Sequence, residues 1–362
     1  MGLDITLLGH YPPPHGGVAA LMRQMRAALE AAGCTVTVLN LGPGRPTGPG
    51  IVQIGQRNRL RQVIETWRAL RRSRSAVFHY ISASYRSFWL GVVCLALARL
   101  AGRRMVVSFV GGAFGSFIGG LGWPARGVAR VALGQAAALI ACNPAIATTL
   151  AQLAPGRRIE MLTNCFVSAG ATIRGDPAVL PDALARFVEL HRPVIACTGA
   201  ASPEYGLGNA VMALPRLREA RPDAGLVLVV TRYGQVDGRG ELEAAIAAQG
   251  VAEHVLITSD IPDFTALLAR SDLFLRTARV DGDSMSVREA LALGVPTVAS
   301  DAAPRPDGVV TYGRDDVEGL VEALHEALTA PRGDPIAVAS ESAANVEALL
   351  GIYRRIAEEA SG

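Results

Sequence analysis

The chain is poor in aromatic residues: Phe, Trp and Tyr make up 5% of its 362 residues, although 50% are hydrophobic. Ala, Val and Leu must therefore carry most of the core, a profile that suits helices packed on parallel strands. A GC-rich bacterial genome gives the same profile, so it says little about function. Cysteine is scarce and scattered, at Cys34, Cys94, Cys142, Cys165 and Cys197, with no CxxC pair. An odd, unclustered set argues against a disulfide framework and a zinc site. The apolar runs fall short of the roughly 20 residues a bilayer span requires. The opening MGLDITLLGHYPPP lacks the basic start and long apolar stretch of a signal peptide, which makes the cytoplasm the expected location. A net charge of +3 and a pI near 8.7 are too mild to argue for a nucleic-acid partner.

What basic charge there is comes unevenly. Residues 57–75, RNRLRQVIETWRALRRSRS, hold seven arginines and are followed by the apolar SFWLGVVCLALARLAGRR at 87–104. A basic helix followed by an apolar one fits the surface of an anionic membrane, and equally a solvated helix followed by a core helix.

Along the chain, short apolar runs alternate with longer segments of helical period. The first series of strands reads 3–9, 35–41, 76–82, 104–110 and 138–142, with a Pro/Gly loop at 42–50. A second series reads 192–200, 225–231, 254–259, 273–277, 296–300 and 308–312. The polar stretch 168–191 between them reads as a linker, and a last helix pattern runs over 340–360. Strand-helix alternation of this kind predicts an α/β fold of two doubly wound parallel sheets in tandem. The expected domains are 1–170 and 190–338, with 339–362 a closing helix.

Each series begins with a glycine-marked turn after its first strand. In GHYPPPHGGVAALM, Gly16 and Gly17 immediately precede a helix, and His15 adjoins them. Paired glycines let backbone N–H groups approach a ligand, although a plain tight turn needs glycine equally. TGAASPEYGLGNAV contains Gly206 and Gly208 but lacks the third glycine of a dinucleotide fingerprint. The more specific stretch is DGDSMSVREALALGVPTVASD, residues 281–301. Its acid loop lies between a strand and a helix, where the N–H groups around Ser284, Met285 and Ser286 suit a diphosphate. Glu289, one turn on, suits ribose hydroxyls, and Asp281 suits a sugar hydroxyl or a developing positive charge. A helix start enriched in acids for its dipole, with Glu289 on a solvated face, accounts for the same letters.

The stretch 281–301 resembles the nucleotide-sugar motif of retaining GT-B glycosyltransferases of the family 4 type, the glycosyl transferases group 1. Those proteins carry an acid, a glutamate eight residues on, a Gly-Val-Pro and a strand ending in Ser-Asp. Asp281 and Glu289 match that spacing, with aspartate where glutamate is usual. PPPHGGV is similar to the family's acceptor-side glycine loop, LTNC at 162–165 to its strand-end asparagine, and DFTALLARSDLFLRTA to the segment preceding the motif. The resemblance covers nearly the whole chain. It implies two Rossmann-like domains facing a cleft, acceptor on the first and donor on the second, with the C-terminal helix crossing back to the first.

The sequence departs from that family pattern in three places. Val110 stands where a histidine is usual, and Ala200 and Tyr205 stand where an arginine and a lysine clamp the donor diphosphate. Arg276, Arg279, Arg232 and Arg305 are the available replacement cations, Arg276 foremost because it closes a strand. His15, His79 and His10 are the candidates for the missing histidine. The expected donor site thus comprises Gly199, Tyr205, Arg232, Arg276, Asp283, Ser284, Met285, Ser286 and Glu289, with Asp281, Glu289 and His15 catalytic.

By this resemblance the protein is expected to be a hexosyltransferase. It would move a sugar, from a UDP-sugar first of all, to a glycolipid, polysaccharide or secondary-metabolite acceptor with retention. It would need no cofactor and no metal, despite the DGD at 281–283, and would touch the membrane only peripherally. The three departures motivate an alternative, a catalytically silent nucleotide-sugar-binding or partner subunit. A nucleotide-sugar epimerase of the same fold is a weaker third.

Overall fold

The structure is a computed structural model and describes residues 2–13, 16–55, 58–166, 180–231, 238–259, 261, 263–331 and 336–361. Contacts divide the chain into two compact units, Met1–Ser168 with Ser340–Gly362, and Ala169–Ala339.

The first unit comprises β1 (Asp4–Gly9), α1 (Gly17–Ala31), β2 (Thr35–Asn40), β3 (Ile51–Gln53), α2 (Arg59–Arg72), β4 (Val77–Ser82), α3 (Arg86–Leu100), β5 (Met105–Phe109), α4 (Phe114–Gly119), α5 (Trp123–Leu133), β6 (Ala138–Ala141), α6 (Pro144–Leu153) and β7 (Ile159–Met161). The strands form one parallel sheet in the order β3-β2-β1-β4-β5-β6-β7. Strand alternation sends Leu8, Phe78, Tyr80, Val107 and Phe109 to one face, where they share a core with Leu70, Phe88, Leu133 and Leu150 from the helices. The order reverses between β1 and β4, so their carboxyl ends open a crevice that the glycine loop after β1 borders.

The second unit comprises α7 (Asp182–Leu190), β8 (Val194–Ala200), α8 (Leu207–Ala220), β9 (Gly225–Thr231), α9 (Arg239–Ala248), β10 (Val255–Thr258), α10 (Phe264–Arg270), β11 (Leu273–Arg276), α11 (Met285–Ala292), β12 (Thr297–Ser300), β13 (Val309–Tyr312) and α12 (Val317–Thr329). Its parallel sheet runs β10-β9-β8-β11-β12-β13. Leu273 and Leu275 join the core under α8, α9 and α12, while the alternating Phe274 meets Phe264 of α10 edge to face. Each layer is therefore anchored by alternate residues of the same strand.

The last helix, α13 (Ile336–Ser361), belongs to the first unit from Ser340 onward. Asn345 Nδ2 donates to the Thr163 and Cys165 carbonyls at 3.1 and 3.0 Å, and Arg355 pairs with Glu160 at 2.8 Å. Tyr353, fully buried, bonds His79 Nδ1 of β4, whose Nε2 pairs with Ser108 Oγ at 2.7 Å. Burial pushes the His79 pKa down to about 3, which keeps its ring neutral.

The strands expected at 3–9, 35–41, 76–82 and onward all form, within two residues of their expected ends. β3 and β7 were not expected: each is a three-residue, partly exposed edge strand with no apolar run to mark it. Part of the expected linker is helix α7, whose Leu184 and Val188, one turn apart, are buried.

Candidate nucleotide-sugar site

In the second unit the strand order reverses between β8 and β11, so the loops after them, residues 201–206 and 277–284, meet at one crevice. Gly206 holds φ +59°, and an added Cβ would come within 2.3 Å of the Thr277 carbonyl oxygen, so only glycine lets the two loops approach this closely. Thr277 Oγ1 ties them by donating to the Tyr205 carbonyl at 2.8 Å. Gly199 leaves room for the Tyr205 ring, which a Cβ would meet at 2.7 Å.

Arg276 ends β11 and lies across this junction. Its Nη1 donates to the Thr198 carbonyl at 3.0 Å, and its guanidinium sits over the Tyr205 ring, 5.1 Å from the centroid. Nη2 and Nε grip both carboxylate oxygens of Asp281, at 2.8 and 3.0 Å. Arg305, from the loop after β12, donates to the same carboxylate at 2.8 Å and to the Ser300 carbonyl at 2.9 Å. All three side chains are buried. Burial alone would raise the Asp281 pKa, but the charges and hydrogen bonds of Arg276, then Arg305, hold its carboxyl well below the usual range. The cluster of two guanidinia and one carboxylate keeps one net positive charge at the strand ends.

This geometry corrects the reading of Asp281 as an acid facing the sugar, because its carboxylate is turned back onto two arginines. Arg276, the foremost candidate cation, does end its strand, and its guanidinium is held by Asp281, the Thr198 carbonyl and the Tyr205 ring. Arg279, another candidate cation, is engaged elsewhere, with Asp315 at 2.6 Å.

Beyond the acid loop, α11 starts at Met285 with Ser284 as its N-cap. Among the described residues no side chain caps it; Ser284 Oγ pairs instead with Ser286 Oγ at 3.0 Å. The backbone N–H groups of the first turn therefore keep their capacity for an anion. Seven of the eight residues of α11 are buried, Arg288 and Glu289 included. A helix without a solvated side rules out the reading of Glu289 as a surface acid, since glutamate is buried only where it has a partner; Glu289 is engaged in the fold. Arg288 Nε donates to Asp283 at 3.0 Å, which fixes the acid loop to its helix.

The comparisons now bear on the chain. Residues 192–330 match the model of the glycosyl transferases group 1, and residues 16–165 that of the glycosyl transferase 4-like domain. The chain belongs to this family. It is 30% identical over 263 residues to a GDP-mannose-dependent alpha-(1-6)-phosphatidylinositol monomannoside mannosyltransferase of Mycolicibacterium smegmatis, covering 65% of this chain and 64% of that one. It is 32% identical over 198 residues to an MMP alpha-(1->4)-mannosyltransferase of Mycolicibacterium hassiacum, covering 49% and 47%. The chain thus matches just under two thirds of the length of the first relative and about half of the other. The catalytic domain of Starch Synthase IV from Arabidopsis thaliana shares its fold with a TM-score of 0.71 at 13% identity, covering 99% of this chain and 100% of that one. Anabaena HepE in complex with UDP and glucose does so at 0.70 and 17%, covering 99% of each. These likenesses make both units Rossmann-like halves of a GT-B glycosyltransferase fold.

Topology brings Gly199 and Arg276, at the ends of β8 and β11, together with Tyr205, Asp281, Asp283, Ser284, Met285 and Ser286 of the following loops and helix start, to the carboxyl ends of the second sheet, with Glu289 one turn into α11. Arg232 and His15 lie outside the described residues. Gly16 caps α1 with an extended backbone that any residue adopts, and among the described residues a Cβ on Gly17 would meet nothing within 4 Å. Among the described residues, then, nothing about the Gly17 position requires glycine. His79 is committed to the core, which corrects it as a stand-in for the histidine missing at Val110. His10 follows β1 in the first crevice, and burial lowers its pKa.

The sequence reading named these arginines one by one and missed their union on one carboxylate. The signal was present: an arginine at a strand end with an acid five residues on, and an arginine four residues after Asp301.

Proposed function

We propose that the chain is a retaining, metal-independent glycosyltransferase acting on a nucleotide-diphosphate sugar. The observation that carries this reading is α11, an uncapped helix start beside a net-positive arginine cluster, with Glu289 buried one turn along. In this reading the diphosphate rests on the N–H groups of Met285 and Ser286 and near Arg276 and Arg305, beside Gly199 and Tyr205. Glu289 holds the nucleotide's ribose. Asp281 acts as a positioning residue that locks the two guanidinia.

As the bond from the anomeric carbon to the diphosphate breaks, a bond to the acceptor hydroxyl oxygen forms, and that hydroxyl's proton leaves with the diphosphate oxygen. Negative charge grows on the leaving group, where helix dipole and fixed guanidinia are already aimed. The positive cluster answers the loss of cations at Ala200 and Tyr205, which favours an active enzyme over a silent subunit. His15 and the Gly16-Gly17 loop would serve the acceptor.

The names of the relatives favour GDP-mannose over the UDP-sugar expected from sequence, and a lipid-linked or saccharide acceptor. Incubation with GDP-mannose and with UDP- and TDP-sugars tests the reading. Turnover or donor hydrolysis that Glu289→Ala abolishes supports it; inertness toward every donor refutes it.

A further inference from the structure

Charge in this chain is divided between its two units, which the mild net value conceals. All 35 basic residues are arginine. The first unit holds 20 of them against eight acids, and the second 15 against 24. Within the first unit, residues 66–159 carry twelve arginines and not one Asp or Glu. That stretch includes α3 and α5, which pack side by side, α3 also touching α2.

Helix α5 turns an apolar surface outward. Its Ala129 and Leu133 are buried against the unit. At 3.6 residues per turn the opposite arc carries Val128, Pro124, Val131, Gly127 and Trp123, with Arg130 at its edge. Trp123 is 85% exposed, Val131 68% and Val128 53%. Leu100, at the end of the neighbouring α3, is 77% exposed. A groove of about 420 Å³ opens between α4, α5 and α6, lined by Trp123, Arg126, Gly127 and Arg130 among others. Arg126 is fixed there by bonds to the Ile118 and Gly119 carbonyls at 3.1 and 2.8 Å.

We infer that this α5 face docks on an anionic lipid bilayer, Trp123, Val128 and Val131 entering the headgroup layer and Arg126 and Arg130 beside them meeting lipid phosphates. Tryptophan prefers that depth, apolar burial anchors the helix, and clustered arginine supplies attraction to negative lipid. A nucleic acid would satisfy the arginines but leave the exposed valines and Trp123 unused. The inference also relocates the membrane contact expected at 57–104. The apolar residues of α3 are largely spent on the core, with Phe88, Cys94, Leu95 and Leu97 buried, and among the described residues no helix is long and apolar enough to cross a membrane. It stands apart from the transferase reading, because vesicle binding requires neither donor nor turnover.

The test is flotation of the full chain with vesicles of phosphatidylcholine alone and of phosphatidylcholine mixed with phosphatidylglycerol, at low and high salt. The protein is expected to float with the anionic vesicles at low salt and to leave them as salt rises. Trp123 emission should shift to the blue on binding, since Trp67 and Trp89 are already half-buried. Trp123→Ser with Val131→Ser should weaken vesicle affinity by about tenfold or more, and Arg130→Glu by at least about fivefold. Arg130→Glu leaves the apolar face intact, so it keeps the test open if the double variant fails to fold. Absence of flotation with anionic vesicles, or undiminished binding by both variants, overturns the inference. So does a dimer that the double variant dissolves without any vesicle binding, or binding of RNA in place of vesicles.

Discussion

The guanidinium of Arg276 lies over the ring of Tyr205, 5.1 Å from its centroid, and through that contact a cation from β11 reaches the loop after β8. The family pattern would place its cation at Tyr205 itself. Here the tyrosine supplies a face, and the charge arrives from the neighbouring strand. Arg276→Met should therefore lower kcat by about a hundredfold, a typical loss for one group aimed at transition-state charge. Arg276→Lys should recover only part, because an ammonium keeps the charge but not the planar fork that grips Asp281 on both oxygens. Steady-state kinetics with saturating donor separates the three proteins.

Removing the shared carboxylate should be costly in a different way. Asp281→Ala leaves two buried guanidinia without their partner, and breaking such a buried pair costs about 3–5 kcal/mol. Thermal unfolding should show the variant melting lower by roughly 10 °C. An unchanged melting temperature would mean that the cluster does not hold the loops.

Glu289→Gln keeps the size of the side chain and removes its charge. If the carboxylate accepts the ribose hydroxyls, nucleoside diphosphate affinity should fall about tenfold to a hundredfold, the range for hydrogen bonds to a charged group. Calorimetric titration with GDP measures it. The melting temperature of the free protein checks that the loss is not merely structural.

His79 makes the first unit sensitive to acid. Its pKa, about 3 in the fold, lies below the value near 6.5 of a free histidine. Between those values the unfolded chain binds a proton that the folded chain refuses, so stability is lost as pH falls below about 6.5. Denaturant titrations from neutral pH downward should show a slope of up to about 1.4 kcal/mol per pH unit from this residue. His79→Gln should flatten that slope.

Much of the fold was legible because its strands are buried on both faces and so appear as apolar runs. The runs at β1, β4, β5, β8 and β9 leave little ambiguity, and the helices between them fix a parallel sheet. Edge strands escaped for the converse reason: β3 and β7 bury too little to need apolar residues. For the site, spacing alone picked out Asp281 and Glu289 but could not say which way a carboxylate faces. Whether Asp281 met a sugar or an arginine depended on Arg305, 24 residues away and on another strand's loop. Glu289 was ambiguous between surface and interior until α11 proved to have no solvated side. Such questions are settled by packing, which no local pattern encodes.

The most direct measurement is a structure of the full chain with GDP bound. It should place phosphate oxygens within hydrogen-bonding distance of the Met285 and Ser286 amides, and a ribose hydroxyl on the Glu289 carboxylate. A nucleotide seated away from the start of α11, with Glu289 making no contact to it, would contradict the account.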